Sequence, residues 1–365
     1  MCNHSLPDHG GQLRALAARF RVPEESLLDF SASINPFPPD DALIDTLCES
    51  LRRRKILTCY PDAEYTELKR AIARYLGFEA GSICVGNGAM SLLTAAASAL
   101  DIRRCLVLVP AFSEYKRALG ISGTYFTTLA LSAEDGFMVD SDHVLAQVKK
   151  TGAQALLIAN PQSPSGSIMP AAQLSQLQQA ASDCGVTTII DEAFIDYVPE
   201  ESLAGIAVHT GKLIVIRSIT KFFAMPGLRV GYAVAHPEIC NSMGTAMPLW
   251  VVDSIAAEAA CLVLRDTDSI KATRTINAAE RDWLLDQFRM IGITVFPAAA
   301  NFLLIKVDET RGGLELWRRL ILDYGIVVRS CASFEGLNQQ YFRVGVRTHS
   351  ENKRLITALR DLTRR

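Results

Sequence analysis

At 365 residues the chain is long enough for two domains of about 150 residues each. Its 49% hydrophobic and 21% charged residues are the balance of a folded protein with a real core. A net charge of −2 supplies no basic field for nucleic acid or an anionic membrane surface, which excludes those partners.

Residues 1–11 hold no apolar signal core, and no apolar run approaches the roughly 18 residues of a membrane span. The nine cysteines form no C-x-x-C pair and the six histidines no ligand spacing, so a cytoplasmic protein without a metal centre is expected. One amphipathic helix is predicted over 11–21. Asp29-Phe30-Ser31-Ala32-Ser33-Ile34-Asn35-Pro36 then breaks at Pro36, Pro38 and Pro39. A helix over 40–54 and the turn Tyr60-Pro61-Asp62 follow. Next comes a helix over 65–76, with Leu68, Ile72, Tyr75 and Leu76 on one face. Residues 83–85 form a strand that runs through Gly86-Asn87-Gly88-Ala89-Met90 into an apolar helix over 91–100. A glycine turn opening onto a helix offers backbone N–H groups to an anion, although Gly-Asn-Gly is also simply a good turn.

Strands are predicted over 105–109, 125–131, 155–159, 187–190, 213–216 and 230–234, with helices over 139–149 and 171–184 between them. Continuous apolar strands alternating with helices indicate an α/β domain built on a mostly parallel sheet covered on both faces. From about 255 the pattern changes. Helix-rich stretches over 255–264 and 269–291 precede strands over 294–296 and 302–307, a helix over 313–324, strands over 326–329 and 341–346, and a last helix over 350–362. A large domain over 40–275 and a smaller α+β domain made of 1–39 and 276–365 are expected.

Two of the apolar runs end in chemistry. The run 187–190 delivers Asp191 at its tip and the run 213–216 delivers Lys221 just past its own, with Ser218 and Thr220 before the lysine and Arg229 eight residues after it. Ligands bind at strand ends in open α/β sheets. Pyridoxal phosphate asks for a lysine and for an acid facing its ring nitrogen. Alone, Asp191 reads as a helix cap and Lys221 as a surface lysine; together, at neighbouring tips, they favour the cofactor.

The pieces Tyr60-Pro61-Asp62, Gly86-Asn87-Gly88, Asn160-Pro161 with Pro164 and Gly166, Asp191-Glu192-Ala193, Ser218-x-Thr220-Lys221 and Gly227-Leu228-Arg229 stand in the order of the fold-type I pyridoxal phosphate enzymes. The chain resembles that aspartate-aminotransferase-like superfamily and, within it, the histidinol-phosphate aminotransferase branch. On His9-Gly10-Gly11, residues 28–36, residues 191–196 and Val328-Arg329-Ser330-Cys331-Ala332 followed by Gly336-Leu337, it is similar to the threonine-phosphate decarboxylases of cobalamin biosynthesis.

The resemblance implies a seven-stranded large sheet with a smaller domain, and roles for particular residues. Lys221 would hold the cofactor covalently and transfer protons. Asp191 would face the ring nitrogen, Asn160 the ring hydroxyl and Phe112 the ring face. The cofactor phosphate would rest on Gly88, Ala89 and Met90, with Ser218, Thr220 and Arg229 around it. Tyr60 would reach that phosphate from a partner subunit, so a homodimer is expected. Arg329 and Arg343 would clamp the carboxylate and phosphate of a phosphorylated amino acid, with His9, Ser33 and Asn35 completing the pocket from the N-terminal arm. The implied reaction is decarboxylation of O-phospho-L-threonine or a close analogue such as O-phospho-L-serine. The alternatives are aminotransfer of the histidinol-phosphate type, a diverged decarboxylase with another anionic amino-acid substrate, or binding without turnover, against which the intact Lys221–Asp191–Arg229 set stands. Phe194 points to the decarboxylases, because the aminotransferase branch usually carries Tyr there. Gln162-Ser163, Ser165, Ala89-Met90, Ser33 and Asp253 depart from the family pattern, and a carboxylate at 253 would repel an anionic substrate unless paired.

Overall fold

The computed structural model describes residues 9–308 and 312–363, so the first eight residues of the expected arm lie outside the described residues. Short runs rich in β-branched and other apolar residues make the strands. They are β1 (Leu28–Asp29), β2 (Ile83–Gly86), β3 (Arg104–Val109), β4 (Tyr125–Ala130), β5 (Ala155–Ala159), β6 (Thr187–Asp191), β7 (Leu213–Ser218) and β8 (Gly231–Ala235). Toward the C-terminus follow β9 (Thr294–Val295), β10 (Phe302–Lys306), β11 (Ile326–Val327), β12 (Arg329–Ser330) and β13 (Tyr341–Gly345).

The seven strands β2 to β8 form one sheet in the order β2-β8-β7-β6-β5-β3-β4. Strands β3 to β7 pair in parallel, and β8 alone runs against both its neighbours. This is the mostly parallel sheet the sequence pattern predicts. Alternate side chains of a strand face opposite sides. Leu106, Leu156, Ile190 and Val215 therefore join the core beneath helices Thr66–Leu76 and Ala171–Asp183. Cys105, Leu157, Ile189 and Ile214 pack instead against helices Gly88–Ala99, Glu114–Ile121 and Pro237–Thr245.

A second, antiparallel sheet has the order β12-β13-β10-β9, and β1 pairs in parallel with β11, Leu28 opposite Ile326. Leu16, Leu27 and Phe30, from the start of the chain, pack in one core with Phe288, Trp317, Val344 and Leu359. Burying a phenylalanine such as Phe30 contributes about 1.5–3 kcal/mol, so the arm is held by packing as well as by its strand. The long helix Thr267–Met290 gives Ile270 to the large-sheet core and Leu284 and Phe288 to the other.

Three local differences from the expected pattern bear on the site. The helix predicted from 91 starts at Gly88, so the Gly-Asn-Gly turn is the helix's own beginning. The short helix Glu114–Ile121, with Tyr115, Ala118 and Leu119 buried, fills a stretch where no helix was expected. The expected strand over 326–329 divides into β11 and β12, which join different sheets. Trp317 Nε1 donates to the Val328 carbonyl (3.0 Å) at the break.

Candidate active site

The C-terminal tips of β3, β5, β6 and β7 end at one edge of the large sheet, beneath the arginines of the smaller one. A cavity of about 570 Å³ opens between them. Among the residues predicted for the site, Asp191, Ser218, Thr220, Lys221, Arg229, Ala89, Met90 and Phe112 line it from the large sheet and its helices. Arg329, Arg343 and His9 line it from the other side. Strand alternation decides which neighbours face inward. Asp191 and Ser218 face the cavity, whereas their neighbours, Glu192 just past β6 and Arg217 on β7, form a fully buried ion pair (3.0 Å). Glu192 also accepts from Ser202 Oγ (2.6 Å) and the Leu203 N–H (2.9 Å), and Arg217 lies 3.6 Å from Asp196. This network ties the two functional strand tips together.

Lys221 lies three residues past the tip of β7, its Nζ 3.5 Å from the Ala32 carbonyl. Burial, with Arg343 and Arg229 nearby, pushes its ammonium down to about 8, so a usable fraction is neutral near pH 7. A buried amine with a depressed pKa is a nucleophile and a proton carrier. Asp191 accepts the Tyr115 hydroxyl on Oδ2 (2.6 Å) and the Ala193 N–H on Oδ1 (2.9 Å). Burial raises its carboxyl above the ordinary value, while Tyr115, Ala193 and Lys221 act against that rise. A cationic ring nitrogen opposite the carboxylate would tip the balance to the ionised form.

Ser218 Oγ and Thr220 Oγ1 lie 2.7 Å apart and buried. Gly88 has φ +72°, and a Cβ there would stand 2.8 Å from Arg229 Nη2. Gly231 is equally constrained, because its Cβ would stand 2.8 Å from the Gly88 carbonyl carbon. Asn87, the cap of helix Gly88–Ala99, makes no side-chain capping bond. Two hydroxyls, a guanidinium and the opening N–H groups of a helix therefore converge, the donor set of a phosphate site.

Across the cavity, Arg329 on β12 is paired directly with Arg343 on β13. Arg343 donates to Ser163 Oγ and to the Ser31 carbonyl, both at 3.1 Å, and burial with Arg329 beside it pushes its guanidinium down to about 10. Arg329 donates to Ser333 Oγ (2.7 Å) and lies over the Phe334 ring. Like charges directly opposite on adjacent strands repel, and an anion between them would relieve that repulsion. His9, half-exposed at the rim, stands 3.3 Å from Glu114.

Other expected residues are placed elsewhere. Asn160, expected on the ring hydroxyl, spends its amide on the backbone of Met169, donating at 3.1 Å and accepting at 2.9 Å, and does not line the cavity. Asn35 donates to the Phe222 carbonyl (2.8 Å) and to Thr273 Oγ1 (3.3 Å), bracing the segment behind Lys221. Ser33 is buried with φ +50°, its hydroxyl has no partner among the described residues, and it too stays outside the cavity. Tyr60 is 81% exposed and stacked on Trp250 (4.5 Å), away from the cavity of its own chain. Asp253 does not line the cavity; its carboxylate caps helix Ser254–Val263 and accepts from the Ala256 N–H (2.8 Å).

The pattern of the family described as aminotransferase class I and II matches residues 25–359. The chain belongs to this family. It is 33% identical to a threonine-phosphate decarboxylase of Salmonella typhimurium over 97% of this chain and 96% of that one. It is 32% identical to histidinol-phosphate aminotransferase 1 of Nitrosococcus oceani, over 89% and 86% of the two chains. Among solved structures, the histidinol-phosphate aminotransferase of Sinorhizobium meliloti in complex with pyridoxal-5'-phosphate superposes with a TM-score of 0.86 at 22% identity, over 99% and 96% of the two chains.

Class I and II aminotransferases use pyridoxal 5'-phosphate, and the residues present fit it. Lys221 offers the amine, Asp191 the partner for the ring nitrogen, and Ser218, Thr220, Arg229 and the start of helix Gly88–Ala99 the phosphate cup. Sequence reasoning missed Tyr115, Ser163, Phe334 and Asp29, all of which line the cavity. Tyr115 had no readable signal, because the helix that carries it, Glu114–Ile121, was not expected. Ser163 stands in the Asn160 loop that the sequence singled out, but only tertiary packing brings it and Phe334 to the arginines. Among the described residues no group of three or more His, Cys, Asp or Glu could hold a metal, and no helix is long and apolar enough to cross a membrane.

Proposed function

We propose that this chain decarboxylates a phosphorylated amino acid, O-phospho-L-threonine or the close variant O-phospho-L-serine. The product would be an amino-alcohol phosphate of the kind used for the cobalamin nucleotide loop. The observation that carries this reading is the pairing of Arg329 with Arg343 over the cavity that holds Lys221. Two guanidiniums suit a substrate with two separate anions. Phe194, which lines the cavity and packs edge-on to Phe302 (4.8 Å), supports it, having no hydroxyl to offer where the aminotransferase branch carries Tyr.

When bound, the cofactor draws electrons from whichever bond at the substrate Cα stands perpendicular to its ring. The protein's part is to choose that bond. One arginine would take the carboxylate and the other the phosphate, so the Cα–carboxylate bond is turned out of the ring plane. Phe112, Phe194 and Phe334 keep water from the reacting centre. The Cα–carboxylate bond breaks to release CO2, and a proton delivered from Lys221 Nζ replaces it at Cα. We further infer a cytoplasmic homodimer. Tyr60 and Trp250, with Leu57 and Leu249 also exposed, form an apolar group that a second copy would cover, and Tyr60 would then reach the partner's phosphate cup. The expected division into 40–275 and 1–39 with 276–365 forms part of the same reading.

Incubating the purified protein with cofactor and O-phospho-L-threonine tests the reaction. CO2 release without a 2-oxo acid supports it, and a strict need for 2-oxoglutarate would replace it with aminotransfer. That second reading is kept because the Nitrosococcus oceani aminotransferase is nearly as similar as the decarboxylase.

A further inference from the structure

We propose that Tyr115 is a positioning residue for the cofactor: its hydroxyl orients the Asp191 carboxylate toward the ring nitrogen. Tyr115 sits in the first turn of helix Glu114–Ile121, buried, with its ring edge-on to Phe112 at 6.0 Å. Its hydroxyl donates to Asp191 Oδ2 at 2.6 Å, a short bond of the charge-assisted kind. Phenylalanine would fill the same space. A buried hydroxyl is costly unless it is paired, so the oxygen is explained by the carboxylate it serves. Burial and the charge of Asp191 hold the phenol well above its usual range, so Tyr115 is only ever a donor.

The geometry fixes the carboxylate from both ends. Oδ1 takes the Ala193 N–H from its own strand end, and Oδ2 takes Tyr115 from helix Glu114–Ile121 on the same wall. Each oxygen keeps a further acceptor site, and the carboxylate lines the cavity where the ring nitrogen would lie. Lys221, after β7, is the other charged group acting on Asp191, whereas Glu192 beside it is turned away and paired with Arg217. Without Tyr115 the buried carboxylate would lose one of the two donors that hold it in place and resist its protonation.

The test measures cofactor affinity of the apoprotein by fluorescence titration across pH, for wild type and Tyr115→Phe. Two probes are used: pyridoxal 5'-phosphate, and its carbocyclic analogue in which the ring nitrogen is replaced by C–H. Losing one hydrogen bond to a buried charge should weaken pyridoxal 5'-phosphate roughly ten- to a hundredfold near neutral pH. It should also move the acid-side midpoint of binding to higher pH, because a carboxylate stripped of a donor protonates sooner. The analogue should bind both proteins alike. An equal loss for both probes would reduce Tyr115 to packing and overturn the proposal, as would unchanged binding of pyridoxal 5'-phosphate. If Tyr115→Phe does not fold, a fluorinated tyrosine at 115 keeps the shape and strengthens the donor. The acid-side midpoint should then move to lower pH, and an unmoved midpoint overturns the proposal.

Discussion

The two walls of the cavity are built on opposite electrostatic terms. On the large-sheet wall the two acids at the end of β6 have partners from the protein: Asp191 has Tyr115 and Ala193, and Glu192, turned away from the cavity, has Arg217. On the small-sheet wall two cations face each other at one register position, and Arg343 Nε has no partner among the described residues. The carboxylates of the first wall are partnered before any ligand arrives. On the second, an anion between the two guanidiniums would lower their mutual repulsion. On the proposed function the first wall holds the cofactor and the second the substrate, so variants of the two walls should fail in different ways.

The largest effect belongs to Lys221. Lys221→Ala removes the amine of the first wall and should lower turnover by about 10⁴-fold, with loss of the visible absorbance of covalently bound cofactor. Next comes the scaffold behind that wall. Arg217→Met leaves Glu192 and Asp196 buried without their cation and should cost about 3–5 kcal/mol of stability in denaturant unfolding. A change below about 1 kcal/mol would mean that these carboxylates simply protonate, and the strand tips would not need the ion pair.

Arg343→Ala acts on the second wall. It should lower kcat/KM by roughly 30- to 1000-fold, the effect of about 2–4 kcal/mol, while cofactor affinity stays near wild type. It should also reach across the cavity. Arg343 is one of the charges that holds the Lys221 ammonium down near 8, so its removal should raise the pH at which the amine becomes reactive toward pyridoxal 5'-phosphate. An unmoved midpoint would show that burial and Arg229 set the lysine, and the walls would be electrically independent.

The same contrast explains what the sequence discloses. The strands of the large sheet were legible because their apolar runs are continuous, and a polar residue at the end of such a run is a strand tip whatever the rest of the fold does. Asp191, Ser218 and Lys221 follow from that local pattern. The second wall depends on contacts between distant segments, such as Arg343 with Ser163 and Ser31. No periodicity reports these. Asn160 and Asn35 show the limit from the other side. Each has a suitable residue type near the site, yet each amide bonds to the backbone of a neighbouring segment and neither residue lines the cavity. Residue type states what a side chain can do, and packing decides what it is used for.

Asp253 gives the smallest effect and the cleanest test of that rule. Read against its relatives, the residue looks like a charge misplaced in an anion pocket. In the fold it is the N-cap of helix Ser254–Val263, with its carboxylate on the Ala256 N–H and favourably placed at the positive end of the helix. Asp253→Asn keeps a capping oxygen and should change stability by no more than a few tenths of a kcal/mol. Asp253→Ala deletes the cap and should cost about 1 kcal/mol in thermal or denaturant unfolding. Neither should alter KM for the phosphorylated substrate. Should Asp253→Asn instead lower KM several-fold with stability unchanged, the carboxylate would be felt by the substrate, and the boundary of the anion wall would have to be extended to the start of this helix.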